Sequence, residues 1–197
     1  MKLKIGFLAS HGGSNFSAIC NNVRNGKLDA ELCVLISNNS GSGAIEKARN
    51  FNIPAFHVSD KNSPNGSTNR IIELFDQHCV NIVVLAGYMK KLDKELIEHF
   101  GGKVLNIHPA LLPKFGGAGM YGMNVHKAVI EAKETHSGAT IHLVDPEYDN
   151  GRVLLQAMVE VLSSDTAESL AERVLAQEHI LYTEALIKIS NDEIVIP

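Results

Sequence analysis

Asn106 and His108 stand two positions apart in Val104-Leu-Asn-Ile-His-Pro109, a segment that is otherwise apolar. On an extended chain, alternate side chains point the same way, so both polar groups face one side. Polar groups at the end of a buried strand are costly without partners, and they therefore serve either a structural network or a substrate. A carboxamide donates a hydrogen bond without titrating, and an imidazole adds charge; together they suit stabilisation of an oxyanion. Pro109 and Pro113 stop the strand and stiffen the loop that follows, fixing His108 in place. Downstream, Asp145-Pro-Glu-Tyr-Asp149-Asn-Gly151 forms an acidic turn. If Asp149 folds over His108, its carboxylate favours the cationic ring; otherwise the turn is an ordinary acidic loop.

A second chemical feature is Ser10-His-Gly-Gly13-Ser14-Asn15, between an apolar run and a helical pattern. Free backbone amides, a hydroxyl and a carboxamide at a helix N-terminus suit a phosphate. No lysine follows the glycines, and the spacing is not that of a dinucleotide loop. Both an anion cradle and a plain tight turn remain open readings.

These groups need a framework. Short apolar runs at Leu3 to Ala9, Leu32 to Ser37, Ile82 to Ala86 and Val104 to His108 read as strands of a parallel sheet buried on both faces, with Pro54 to His57 a further short one. Helical patterns alternate with them over Phe16 to Asn25, Gly43 to Phe51, Thr68 to Cys79 and Asp93 to Phe100. A short helix near His126 to Ala132 precedes strands at Thr140 to Val144 and Val153 to Val161, which extend the sheet antiparallel. In the first of these, Ala139, Ile141 and Leu143 share the apolar face, leaving His142 on the other as a core or supporting residue. The last helix starts at Asp165 as cap with Glu168 three residues on, and buries Leu170, Val174, Leu181 and Leu186. The expected fold is α/β: a Rossmann-like, mostly parallel twisted sheet flanked by helices, with an antiparallel extension in the C-terminal half.

With 197 residues and 45% hydrophobic residues, the chain suits one domain with a continuous core. A net charge of −4 with mixed signs gives no basic footprint for nucleic acid or an anionic membrane. The first apolar run breaks too early for a signal peptide, and no run spans a bilayer. Cys20, Cys33 and Cys79 are an odd number and lie among apolar residues, as reduced core thiols do, which points to the cytoplasm. None of the histidine, cysteine and acidic spacings is that of a zinc site, and no metal is expected.

Taken together, Gly13-Ser-Asn15, Leu85-Ala-Gly-Tyr-Met89, Leu105-Asn-Ile-His-Pro-Ala-Leu-Leu-Pro113 and the segment His142 to Gly151 resemble the phosphoribosylglycinamide formyltransferase family over nearly the whole chain. The Asn-x-His-Pro-x-Leu-Leu-Pro string is specific for the wider group of formyltetrahydrofolate hydrolases and transferases. The resemblance implies transfer of a formyl group from 10-formyltetrahydrofolate, a cosubstrate, to the amine of glycinamide ribonucleotide in purine synthesis. It assigns catalysis to Asn106, His108 and Asp149. It places Met89, Lys90, Lys91, Leu92, Asn106 and the turn Asp145, Pro146, Glu147, Tyr148, Asp149 around the folate. Gly13, Ser14 and Asn15 would hold the phosphate, and Glu178, in Gln177-Glu178-His179, the ribose hydroxyls. The N-terminal half of the single domain 1–197 would then bind phosphate and the C-terminal half folate. A monomer or homodimer is expected, and Gly116 to Gly122 suits a mobile flap.

The chain departs from the family near Pro64, where many relatives carry a folate-contacting arginine, at Leu175 in place of a phosphate-side glutamine, and in a longer Gly116 to Asn124 loop. For Met89 and Leu92 simple core packing is the alternative, and for Glu178 a solvated helix charge. Two rival functions remain. A formyltetrahydrofolate deformylase passes the formyl group to water with similar residues, and such proteins usually carry a regulatory domain ahead of this fold. A noncatalytic nucleotide-binding sensor would keep the fold and the loop without turnover.

Overall fold

Each apolar run becomes a strand because the helices between them cover both faces of one sheet. The structure, a computed structural model, describes residues 2–147 and 149–197. The first half runs β1 (Leu3–Ala9), α1 (Ser14–Arg24), β2 (Ala30–Ser37), α2 (Gly43–Asn50), β3 (Ala55–His57), α3 (Ser67–Gln77) and β4 (Ile82–Leu85). The second runs α4 (Lys94–His99), β5 (Val104–His108), α5 (Met123–Glu131), β6 (His136–Leu143), β7 (Val153–Glu160) and α6 (Ala167–Ser190). The seven strands lie in the order β3-β2-β1-β4-β5-β6-β7. Pairing is parallel from β3 through β5 and antiparallel at β5–β6 and β6–β7, as the sequence pattern implies.

Strand order reverses direction at β1, with β2 on one side and β4 on the other. Such a switch opens a crevice beyond the strands' carboxyl ends, where ligands of doubly wound sheets bind. One face of the sheet packs Ile5, Phe7, Leu105 and Ile107 against Phe16, Leu181 and Tyr182. The other packs Leu8, Val83 and Val104 against Leu74, Phe75 and Leu96. Edge-to-face rings knit both layers, Phe7–Phe16 at 4.9 Å and Phe75–Phe100 at 5.6 Å between centroids. Among the described residues no helix is long and apolar enough to cross a membrane.

Four details differ from the pattern-based expectation. β6 begins at His136 rather than Thr140, because pairing with β7 recruits His136 opposite Glu160. Gly138 belongs to this stretch, where a Cβ would stand 2.0 Å from the Ala157 carbonyl oxygen, so no side chain fits. α5 likewise starts earlier, at Met123. The cap of α6 is Thr166, not Asp165: its hydroxyl accepts from the Ser169 amide at 3.2 Å, and Ser169 Oγ accepts from the Thr166 amide at 3.1 Å. Asp165 instead accepts from the Leu162 amide and Ser169 Oγ and pairs with Arg173, which leaves Glu168 outside the capping box. Finally, Cys79 is exposed on a left-handed turn after α3, while Cys20 and Cys33 are buried thiols that burial pushes up to about 12 and about 11.

Candidate active site

β5 carries Asn106 and His108 on the face opposite Leu105 and Ile107, and antiparallel β6 sets His142 beside Asn106 and Thr140 beside His108. Thr140 fixes the loop after His108: its hydroxyl donates to the Ala110 carbonyl at 2.6 Å and accepts from the Leu112 amide at 3.1 Å and Gln156 Nε2 at 2.9 Å. His108 is buried. Its Nε2 donates to the Phe115 carbonyl at 2.7 Å, and its Nδ1 lies 3.4 Å from Asp149 Oδ2. Asp149 Oδ2 also accepts from the Gly117 amide at 3.0 Å. The acidic turn therefore does fold over His108, as the sequence allowed.

This closure depends on backbone that few residues adopt. Asp149 has φ 55° and Phe115 φ 56°, both left-handed. Between them and the loop, a Cβ at Gly116 would meet Leu112 Cδ2 at 2.6 Å and Asp149 Cβ at 3.2 Å, so a side chain here would displace the carboxylate. Asn106 is half-buried, and its Nδ2 lies 3.1 Å from His142 Nε2. His142 Nδ1 lies 2.9 Å from the Leu143 carbonyl, and burial holds the ring below the usual imidazole range.

Beside these groups opens a cavity of about 400 Å³, within the range of small-molecule sites. Its walls include Asn15, Met89, Asn106, His108, Asp149 and Glu178, together with Gly117 to Gly122. A smaller hollow of about 80 Å³ shares Asn106 and Asp149 and adds Lys91, Leu92, His142, Asp145 and Glu147; Lys90 lines both. Most residues expected around a folate are thus together. Pro146 is exposed and lines neither space, and Tyr148 lies outside the described residues. Leu92 is buried in the core cluster that includes Leu96 and Ile97 of α4, whereas Met89 is 43% exposed.

The first loop is more constrained than its sequence suggests. Gly13 caps α1 at φ 62°, and a Cβ there would lie 2.7 Å from Ala44 Cβ, so α1 and α2 start in close contact. Asn15 is buried and donates through Nδ2 to Glu178 Oε2 at 2.7 Å; its Oδ1 has no protein partner among the described residues. One of its two carboxamide hydrogens is therefore committed to α6. Gly13 and Ser14 sit beside it without lining the cavity. Glu178 is no solvated charge: it is buried, and burial raises its carboxyl above the usual range.

Several supporting residues carry little sequence signal. Ser10 Oγ donates to Asn38 Oδ1 at 2.7 Å and accepts from the Met89 amide at 2.8 Å, joining the first loop to the Met89 segment. Lys90 Nζ grips Asp60 at 2.9 and 3.1 Å and Ser67 Oγ at 3.1 Å, and hydrogen bonding from Ser67, then Lys90, lowers the Asp60 carboxyl. Tyr182 Oη donates to the carbonyls of Leu85 and Leu105 at 3.1 and 3.0 Å. An isolated tyrosine on the apolar stripe of α6 is the one clue to that contact.

A doubly wound sheet with Asn106, His108 and Asp149 gathered at its switch-point crevice is the framework of a formyl-transfer enzyme fold, and the family model for formyl transferases matches residues 3–186. The chain belongs to the formyl transferase family. Within it, the chain is similar to the chloroplastic phosphoribosylglycinamide formyltransferase of Arabidopsis thaliana, 42% identical over 97% of this chain and 66% of that protein. The chain thus spans just under two thirds of the length of this plant relative. The phosphoribosylglycinamide formyltransferase of Haemophilus influenzae is 34% identical over 91% of this chain and 83% of its own length. Among solved structures, glycinamide ribonucleotide transformylase 1 from Symbiobacterium toebii superposes with a TM-score of 0.91 at 33% identity, covering 100% of this chain and 91% of that one. A formyltetrahydrofolate deformylase from Pseudomonas syringae shares the fold, with a TM-score of 0.88 at 24% identity over 100% of this chain and 64% of that one.

Proposed function

We propose that this protein transfers the formyl group of 10-formyltetrahydrofolate to the amine of glycinamide ribonucleotide, a step of de novo purine synthesis. The observation that carries this reading is the convergence of Asn106, His108 and Asp149 on a cavity that also contains the Asn15–Glu178 pair. The free amine attacks the formyl carbon, and the carbonyl electrons pass to oxygen. An Asn106 N–H and the positive charge of protonated His108 stabilise that oxyanion. Asp149, 3.4 Å from His108, sustains the charge and accepts the proton lost by the amine. Collapse of the intermediate expels the folate nitrogen, which takes up a proton, and leaves the formamide.

Backbone amides of Gly13, Ser14 and Asn15 hold the phosphate, and Glu178 accepts from the ribose hydroxyls. The folate occupies the space beside Met89, Lys90, Lys91, Leu92, Asn106, Asp145, Glu147 and Asp149. The chain works as one domain, in the cytoplasm, on small molecules. A deformylase is the second reading, since the same groups can direct water at the formyl carbon. Against it stands the room beside Asn15 and Glu178, which a water nucleophile does not need.

The test follows 10-formyltetrahydrofolate consumption by absorbance, with and without glycinamide ribonucleotide, for the native protein and His108→Ala. Amine-dependent turnover that the variant loses is the expected result. Consumption indifferent to the amine gives the deformylase, and no consumption gives a binding protein.

A further inference from the structure

We propose that His142 is a positioning residue that fixes which way the Asn106 carboxamide faces, and so keeps an N–H rather than an oxygen turned to the reacting formyl oxygen. The inference rests on the reading of Asn106 as an oxyanion donor. A carboxamide is nearly symmetric in shape, and a half-turn exchanges donor and acceptor at little steric cost. Something must break that symmetry, because an amide oxygen facing the developing oxyanion repels it.

The symmetry is broken by a chain of contacts with only one consistent proton arrangement. The Leu143 carbonyl only accepts, so His142 Nδ1, 2.9 Å away, carries a hydrogen. The ring is 2% exposed, and its burial, with the nearby charge of His108, disfavours a second proton; the Leu143 bond and the carboxylates of Asp149 and Asp145 pull the other way. Burial is the largest of these, which leaves Nε2 as a bare lone pair. A lone pair at 3.1 Å accepts only from the Asn106 NH2 group, and the flipped amide would set two acceptors against each other. One Nδ2 hydrogen is thereby held by His142 and the second is left for the substrate. Asp149 Oδ1 lies 3.6 Å from the same Nε2, so a doubly protonated His142 would pair with Asp149 and release Asn106. Neutrality of His142 is part of the device.

Two measurements test this. ¹⁵N-edited NMR of the ligand-free protein at neutral pH should show His142 as the neutral Nδ1–H tautomer; an imidazolium or an Nε2–H tautomer overturns the proposal whatever the enzyme's activity. Kinetically, His142→Leu should lower kcat roughly 10- to 100-fold, as misdirected groups do, with KM for both substrates changed less than about threefold. His142→Gln, whose Oε1 can accept where Nε2 did, should recover most of that loss. In an Asn106→Ala background, His142→Leu should cost less than about twofold, because the group it positions is gone. An undiminished cost in that background, or a kcat within about twofold of native for His142→Leu alone, overturns the proposal. If His142→Leu does not fold, the glutamine variant and the NMR tautomer decide. Absence of formyl transfer by the native protein would count against the activity itself, and the spectrum would still judge the His142 arrangement.

Discussion

Replacing Asp149 by asparagine keeps the side chain's shape and removes its charge. The carboxylate lies 3.4 Å from His108 Nδ1 and is 11% exposed, so solvent screens the pair only in part. At an effective dielectric constant of about 20, a full charge pair at that distance is worth about 5 kcal/mol. If half of it is expressed in the transition state, the loss is about 2.5 kcal/mol, or roughly 70-fold in kcat. Asparagine can keep an oxygen in the place of Oδ2, accepting from the Gly117 amide and facing His108, which turns its NH2 group toward His142 Nε2. The assay is the initial rate of amine-dependent formyl transfer by Asp149→Asn, repeated in a His108→Ala background. There the substitution should cost several-fold less than in the native background, because the charge it supports is gone and only its role as proton acceptor remains. A kcat for the single variant within about threefold of native, or an equal loss in both backgrounds, would refute the argument that Asp149 acts through His108.

Asn106→Ala should lower kcat roughly 100-fold or more, the scale of losing one oxyanion donor; steady-state kinetics showing a change confined to KM would contradict this. Glu178 is held above its ordinary range by burial, so its protonation adds stability below the unfolded carboxyl's pKa, and that contribution is lost as pH rises through the folded value. Glu178→Gln should therefore melt higher than native at about pH 7 and lose the advantage near pH 4; a calorimetric difference independent of pH would exclude this origin. Tyr182→Phe removes the hydroxyl that serves two buried carbonyls and should cost about 1–3 kcal/mol in denaturant unfolding, with an unchanged value as the contrary result. Thr166→Ala should cost about 1 kcal/mol as the true cap of α6, while Glu168→Ala should cost much less; the reverse order would restore Asp165 as the cap.

The parts of this molecule that are legible in sequence are those set by local periodicity. Val104 to His108 reads as a strand, with Asn106 and His108 on one side, because alternation and the flanking prolines act within a few residues. The antiparallel extension is legible for the same reason, though not the start of β6, where His136 to Gly138 depend on β7 for pairing. The cap of α6 is ambiguous because Asp165-x-x-Glu168 and Thr166-x-x-Ser169 are overlapping signals of one kind, and only the backbone of Thr166 settles between them. The closure of Asp149 on His108 is one of two arrangements the sequence permits, and choosing it takes left-handed backbone at Phe115 and Asp149 and no side chain at Gly116. His142 looks like a residue of secondary interest because the register that sets it opposite Asn106 has no local signature. Lys90 and Asp60, paired across two loops, leave no trace at all.

The hydrogen bond between Asn15 and Glu178 spans 163 positions of chain, from the first helix to the last. Growing from the ribosome, the chain presents its first loop early and waits for most of translation before the opposite wall exists. Asn106 and His108 emerge in between, on a β5 whose end still lacks the hydroxyl of Tyr182 beneath it. Docking of α6 brings Glu178 to the cavity wall and the Tyr182 hydroxyl to the carbonyls of β4 and β5 together, so both are completed in one late step.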